Sequence, residues 1–321
     1  ASPGKEPIML KVGMIGAGII SASHLAAVAN HPDTCLAAVA DLVEEKARQA
    51  AEPYGARVYT DYEAMLAQEP LDLAIINLPH GLHEACVLAC AGRGIHILLE
   101  KPMATTYAAC RRMNEACQAA GVLLQVGHLQ RYIPQNRAAH EILQSGRLGR
   151  LAMVCDLRTN NYFKPERPRW FLDKAMAGGG ISMNYAAHSL DKLFYLTDSS
   201  IASITGSCTC WQPGTEVDGS AQMLVRTQSG TSASISLCGY RVVPQDVTML
   251  FCTGGALRLQ TGRSLEITEG GAYSPVDTSQ YPDAFAAQWA DFISGVRGGR
   301  ILHNDGVYAA AIVRAIETLY S

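Results

Sequence analysis

Between Lys11 and Val28 the chain passes through an apolar run, a glycine-bearing turn and an amphipathic segment. These are Lys11-Val12-Gly13-Met14-Ile15, then Gly16-Ala17-Gly18-Ile19-Ile20-Ser21, then His24-Leu25-Ala26-Ala27-Val28. Strand, turn and helix in this order are what an open parallel sheet with crossover helices requires at its first dinucleotide-binding turn. Gly16 permits the turn, and Gly18 lets the backbone come close to a pyrophosphate. The N–H groups from Ile19 and Ile20 onward, at the start of the helix, can face that anion. Ser21 replaces the third glycine of such turns and is still small enough for close helix-to-strand packing. A glycine turn at a strand end is common by itself, so its meaning depends on the chain downstream of Val28.

Downstream, the pattern repeats. Apolar runs at Leu10 to Ile15, Cys35 to Ala40, Leu73 to Ile76, Ile95 to Leu99 and Val122 to Val126 alternate with stretches whose apolar residues recur at helical spacing. The latter include Val43 to Ala51, His83 to Ala91 and Tyr107 to Ala119. After Val126 the character changes. A helix over Pro134 to Leu143 stops at Gly146, another begins beyond Gly178-Gly179-Gly180, and strands then dominate, with helices returning at Ala284 to Val296 and Val307 to Leu319. The expected strands are Ser203 to Cys210, Gln222 to Thr227, Ser232 to Leu237, Val247 to Cys252 and Leu265 to Thr268. A chain of 321 residues exceeds what one hydrophobic core holds easily, so two domains are expected. The first is an α/β dinucleotide-binding domain over 8–126. The second, over 127–321, is an α+β substrate-binding and oligomerisation domain with a large, mostly antiparallel open sheet; its final helices are allowed to pack back on the first domain.

Composition narrows the function. A net charge of −3 gives no field that would draw in nucleic acid or an anionic membrane, and 48% hydrophobic with 17% charged residues suits an ordinary globular protein. Ten cysteines are spread along the chain without a Cys-x-x-Cys pair. Cys86 with Cys90, or Cys208 with Cys210, could share a face, but buried thiols in a reducing cytosol are the expectation, with no metal site. The apolar start contains Gly16, Gly18, Ser21 and His24 and has no cleavage-like end, so a soluble, cytoplasmic protein is expected.

Two positions carry chemistry. The second strand ends in Ala40-Asp41, near the distance after the glycines at which an acid meets the adenosine ribose, although Asp41 is also suited to capping the next helix. Leu42 follows, with no arginine to receive a 2′-phosphate, which favours NAD over NADP. The fifth strand runs into Leu99-Glu100-Lys101-Pro102 and places a lysine at the carboxyl edge of the sheet, where open α/β folds bind ligands.

Taken together, Gly16-Ala17-Gly18 with His24, Asp41, Leu78-Pro79-His80 with His83, and Glu100-Lys101-Pro102 resemble the glucose-fructose oxidoreductase / inositol dehydrogenase / rhizopine catabolism (Gfo/Idh/MocA) family. The resemblance continues through Val126-Gly127-His128-Leu129-Gln130-Arg131-Tyr132 with Pro134 and through Gly146-Arg147-Leu148-Gly149. It reaches Gly178-Gly179-Gly180 with Asn184, His188 and Asp191, and so covers nearly the whole chain. It implies a Rossmann domain whose cofactor contacts include Gly16, Gly18, Ile19, Ile20, Asp41, Leu78, Pro79, His83, Glu100 and Lys101. It also places Lys101 and His188 on the substrate hydroxyl. Oxidising a carbinol needs a base for the O–H proton, which suits His188, and a cation beside the same oxygen, which suits Lys101.

One departure concerns the proton. Asn184 stands where many members carry Asp, so no carboxylate there would raise the pKa of His188, although the amide can still hydrogen-bond a sugar hydroxyl. Tyr162 and Trp170, in the loop before the triple glycine, offer polar edges and aromatic faces, and with Lys101, Asn184 and His188 they make up the expected substrate contacts. The expected reaction is reversible hydride transfer between NAD and a secondary alcohol of a sugar, cyclitol, sugar acid or glycoside. The resemblance also implies a homodimer or homotetramer formed through the second-domain sheet. Two alternatives remain: an NAD-recycling lyase or hydrolase that oxidises its substrate transiently, and a non-catalytic NAD or sugar sensor, against which Lys101 and His188 together argue.

Overall fold

The computed structural model describes residues 9–299 and 302–320. Ile8 and Ser321, the outer limits of the two expected domains, lie outside the described residues. Two compact units emerge. The first contains residues up to Ala104, Ala108–Gly127 and Phe285–Ala310; the second contains Thr105–Tyr107, His128–Ala284 and the chain from Ala311 onward.

The first unit is built on strands β1 (Leu10–Ile15), β2 (Thr34–Ala40), β3 (Arg57–Tyr59), β4 (Leu73–Ile76), β5 (His96–Leu99) and β6 (Leu124–Val126), all parallel, in the order β3-β2-β1-β4-β5-β6. Helices α1 (Ser21–Asn30), α2 (Glu44–Ala51), α3 (Tyr62–Gln68), α4 (His83–Ala91) and α5 (Tyr107–Ala120) follow strands β1 to β5 in turn. β4 is buried at every residue, as a strand covered on both faces must be. The strand order reverses between β1 and β4, and the turns after β1, β4 and β5 lie at the carboxyl edge, where this topology opens a crevice. Trp289, Phe292, Ile293 and Leu302, from far along the chain, complete the core that Val12, Val28 and Leu73 begin.

The second unit starts with α6 (Pro134–Gln144), which ends before Gly146 at φ +71°. β7 (Leu151–Thr159) leads through a loop to the short helix α7 (Lys174–Ala177). A single π-helical turn over Ser182–Ala186 then runs into α8 (Ala187–Thr197). After it come β8 (Ile201–Thr209), β9 (Ser220–Thr227), β10 (Ser232–Cys238), β11 (Gln245–Cys252), β12 (Gly255–Gln260), β13 (Ser264–Thr268) and β14 (Ser274–Pro275). Their sheet has the order β14-β13-β12-β11-β7-β10-β9-β8, antiparallel throughout except for β7 beside β10. The chain continues through α9 (Ala284–Gly298) and α10 (Gly306–Glu317).

β7 reverses the usual logic of a sheet strand. Asp156 and Arg158 point inward and are buried, whereas Met153 and Leu157 are exposed. The charges are paired with those of Lys192 on α8 and Asp246 on β11. The Lys192 ammonium, 1% exposed, lies 3.0 Å from Asp156, 2.6 Å from Asp246 and 2.9 Å from Thr248, while Arg158 meets the other oxygen of Asp246. Burial pushes the Asp156 carboxyl up, but the Lys192 and Arg158 charges outweigh it and hold the pKa below the usual carboxylate value. This buried cluster joins α8 to the sheet beneath it.

Candidate active site

At the end of β1, Gly16 adopts φ +92°, and a Cβ there would lie 2.6 Å from the Asn77 carbonyl oxygen, so only glycine fits the turn. Gly18 is different: nothing lies within 4 Å of the place its Cβ would occupy. That open backbone is what a pyrophosphate would need above it. The α1 cap is Ile20, whose side chain cannot accept from the first helical amides. Ile19 is 95% and Leu42 87% exposed, leaving apolar side chains around the turn where a planar base could rest. Asp41 Oδ2 accepts the Ala17 amide at 2.8 Å and Oδ1 accepts the Val43 amide at 2.9 Å, so the carboxylate both steadies the glycine turn and starts the second crossover. These residues fit a dinucleotide.

The other two carboxyl-edge turns are tied together by His83. Its Nε2 lies 2.8 Å from the Leu78 carbonyl oxygen and its Nδ1 3.1 Å from those of both Pro102 and Met103. Burial lowers its pKa, against the pull of those carbonyls. His83 has no exposed surface, so the expectation of direct cofactor contact gives way to a clamp between the turn of Leu78 and Pro79 and the one that carries Lys101. Glu100 is similarly occupied. One oxygen lies 2.9 Å from His24 Nε2 and the other accepts the Lys101 amide at 3.1 Å. Burial raises its pKa, but the His24 hydrogen bond and the His24 and Lys101 charges together leave it below the usual value. These contacts make Glu100 a brace of the turn that carries Lys101. Lys101 is half-buried at the end of β5, followed by a cis peptide to Pro102.

In the second unit the triple glycine is set by Asp218, a residue that carries no local signature in the sequence. Its Oδ1 accepts the Gly180 amide at 2.6 Å and the Tyr320 hydroxyl at 2.7 Å, and its Oδ2 accepts the Ser182 amide at 2.8 Å. A Cβ on Gly180 would fall on the Asp218 carbonyl oxygen, and one on Gly179 on the Tyr320 hydroxyl. The lead-in to the helix is thereby fixed. Asn184, largely buried, sits in the π turn, and His188, half-buried, follows in the first turn of α8. The α-helical spacing of four between them thus spans a π-to-α junction, a distortion frequent where helices carry function. Asp191 accepts the Gln130 amide at 3.0 Å and so holds α8 against the start of the second unit.

Tyr185, which the sequence did not single out, packs its ring 6.3 Å from that of His188 and receives a hydrogen bond on its hydroxyl from Asn160. Tyr162, expected to face a ligand, is fully buried. Its ring lies 6.1 Å from that of Tyr185, and burial raises its pKa, with a hydrogen bond from Asn184 opposing. It is a platform beneath the other residues because its ring is enclosed on all sides. Trp170 is only half-buried, its ring stacked at 3.7 Å on Phe171. Among the described residues no group of three His, Cys, Asp or Glu side chains could hold a metal ion, and none of the helices is long and apolar enough to cross a membrane.

A parallel sheet with an open glycine turn, joined in one chain to a large antiparallel sheet bearing a buried helix with a histidine, defines a two-domain NAD-binding oxidoreductase fold. Residues 10–128 match the profile of the oxidoreductase family with an NAD-binding Rossmann fold, and residues 136–258 match the GFO/IDH/MocA C-terminal domain. The chain belongs to the Gfo/Idh/MocA family. It is 32% identical to an inositol 2-dehydrogenase of Saccharopolyspora erythraea over 61% of its own length, and spans little more than half, 56%, of that relative. It is 28% identical to the rhizopine catabolism protein MocA of Rhizobium meliloti, covering 97% of this chain and 95% of the other. The aldose-aldose oxidoreductase of Caulobacter crescentus, crystallised with glycerol, shares the fold with a TM-score of 0.89 at 24% identity, covering 97% of this chain and 96% of the other.

Proposed function

We propose that this protein is an NAD-dependent dehydrogenase that oxidises a secondary hydroxyl of a sugar, cyclitol or related polyol and reduces the ketone in reverse. The observation that carries the reading is the pair of built features in one chain: a glycine turn open above Gly18 and braced by Asp41, and a glycine-led helix that presents Asn184 and His188. Supporting it, the relatives named above include a dehydrogenase of a cyclitol and an oxidoreductase of aldoses. Nicotinamide, when bound, supplies the hydride acceptor.

The chain's own residues do the rest. His188 takes the hydroxyl proton as the carbinol is oxidised and returns it in reduction, while Asn184 orients the neighbouring hydroxyl through its amide. The Lys101 ammonium stabilises negative charge on the substrate oxygen, and Glu100 and His83 hold the turn from which it projects. Asp41 accepts both ribose hydroxyls and repels a 2′-phosphate, which selects NAD. The protein acts in the cytoplasm as a homodimer or homotetramer, with the open face of the second-unit sheet as the contact; exposed Met153, Leu157 and Leu224 supply apolar area for it.

The test is a panel of sugars and cyclitols assayed for NADH, repeated with Lys101→Ala. Turnover in the variant should fall at least about a hundredfold, within the range for removing one electrostatic stabiliser, with NAD affinity nearly unchanged. Turnover that survives within a few-fold rules out Lys101 in this role. Product formed without NADH accumulating selects the transient-oxidation chemistry instead.

A further inference from the structure

In the loop between β7 and α7, Arg167 lays its guanidinium 4.0 Å from the centre of the Tyr162 ring and 4.8 Å from that of Phe171. Among the described residues its buried Nε meets no hydrogen-bond partner, and no ion pair joins its guanidinium to a carboxylate. Arg112, Arg147, Arg158 and Arg258 by contrast each meet an acid. A guanidinium stacked on rings has given up part of its hydration while its in-plane N–H donors keep the fork geometry that matches a carboxylate.

The rings beneath it lead to the residues assigned to the carbinol. Tyr162 is hydrogen-bonded by Asn184 and packs edge-on against Tyr185, which packs in turn against His188. Asn184 supplies the second observation. An aspartate in its place would set a negative charge beside His188 and repel an anionic substrate, whereas the amide does not.

We infer that Arg167 is a specificity residue that binds a carboxylate on the substrate, so that among polyols this enzyme prefers sugar acids. The inference rests on the dehydrogenase reading above and narrows its substrate class. Arg167 takes no part in the proton or hydride movement; it fixes the anionic end of the molecule while the hydroxyl at the other end reacts.

Matched pairs test it, since D-glucose with D-glucuronate and D-galactose with D-galacturonate differ only in CH₂OH against COO⁻. The wild-type enzyme should show kcat/KM for the acids at least about tenfold above that for the neutral sugars. Arg167→Met keeps an unbranched apolar stem over Tyr162; it should lose about 10- to 100-fold on the acids and no more than about threefold on the neutral sugars, with Arg167→Lys in between. Thermal melting of each variant separates loss of recognition from loss of fold. Calorimetric titration of the NAD-loaded enzyme with D-glucuronate gives a second reading independent of turnover. Equal losses on acids and neutral sugars, or a wild-type enzyme that neither oxidises nor binds the acids, overturns the inference, while NADH from neutral sugars alone leaves the dehydrogenase reading intact. Acids that bind through Arg167 while neither they nor the neutral sugars yield NADH uphold the carboxylate site and overturn the dehydrogenase.

Discussion

Asp41 holds the Ala17 amide at 2.8 Å through the oxygen opposite to the one that holds Val43. Ala17 lies between the two glycines of the turn, so the acid expected to touch a ribose is oriented by the turn expected to hold the phosphates. A carboxylate has about four acceptor sites, and two backbone donors leave room for ribose hydroxyls. NAD should therefore bind at least about tenfold tighter than NADP by calorimetry, a gap of roughly 1.4 kcal/mol. Asp41→Ala should narrow that gap and weaken NAD, because it removes the repulsion and the brace together. Equal affinities in the wild-type protein would exclude Asp41 as the discriminating group.

Asn184 provides a test of the proton path. A carboxylate introduced there, about one helical turn from His188, would favour the protonated imidazole, and a base that must be neutral would then lose activity at higher pH. The acidic limb of the kcat/KM profile for oxidation should move upward in Asn184→Asp, with the same substrate used throughout. An unmoved limb would show that another group takes the proton, or that the π turn keeps the two side chains apart.

Acid should loosen the first unit through His83. Burial places the folded pKa of this imidazole below its ordinary 6.5, so the folded state binds its proton less readily than the unfolded chain does. The stability this contributes is complete above about pH 6.5 and is lost as pH falls through the folded pKa. Melting temperature followed from about pH 7.5 to about pH 5 should decline, and more shallowly in His83→Gln. Parallel slopes in the two proteins would exclude His83 as the titrating group.

Lys192→Met should destabilise the second unit by about 3–5 kcal/mol, because Asp156 and Asp246 would keep their charges without the ammonium between them. Urea denaturation monitored at the second-unit tryptophans reads this directly. Adding Asp156→Leu should restore part of the loss, since a paired deletion leaves fewer orphan charges. A loss under about 1 kcal/mol would mean that water reaches the cluster.

The sequence was legible wherever periodicity and burial agreed. The run Leu10 to Ile15 is β1 and Leu73 to Ile76 is β4, residue for residue, because β4 is apolar and enclosed throughout and β1 is buried from Val12 to Ile15. β7 escaped notice since its inward face carries Asp156 and Arg158, so the alternation that marks a strand has its polar side in the core. β3 is only Arg57–Tyr59 at the sheet edge, and β12, which opens at Gly255, hides behind a glycine turn. Near the site, the tight turn at Gly16 and the open backbone at Gly18 were readable because both are local to one turn. The roles of Glu100, His83 and Tyr162 depend on partners brought in by folding, His24, Met103 and Arg167 among them, and no spacing rule announces those partners.

The return of Phe285–Ala310 to the first unit bears on how the protein is made. Trp289 donates its indole N–H to Thr34 Oγ1 at 3.2 Å, and its neighbours Phe292 and Ile293 fill the same core as Val12 and Val28. A ribosome delivers the six parallel strands early, but the side chains that seal their core emerge only after the whole antiparallel sheet has been synthesised. The dinucleotide-binding unit, first to be translated, is therefore the last to close, and a nascent chain halted before Trp289 would present an unsealed apolar face to chaperones.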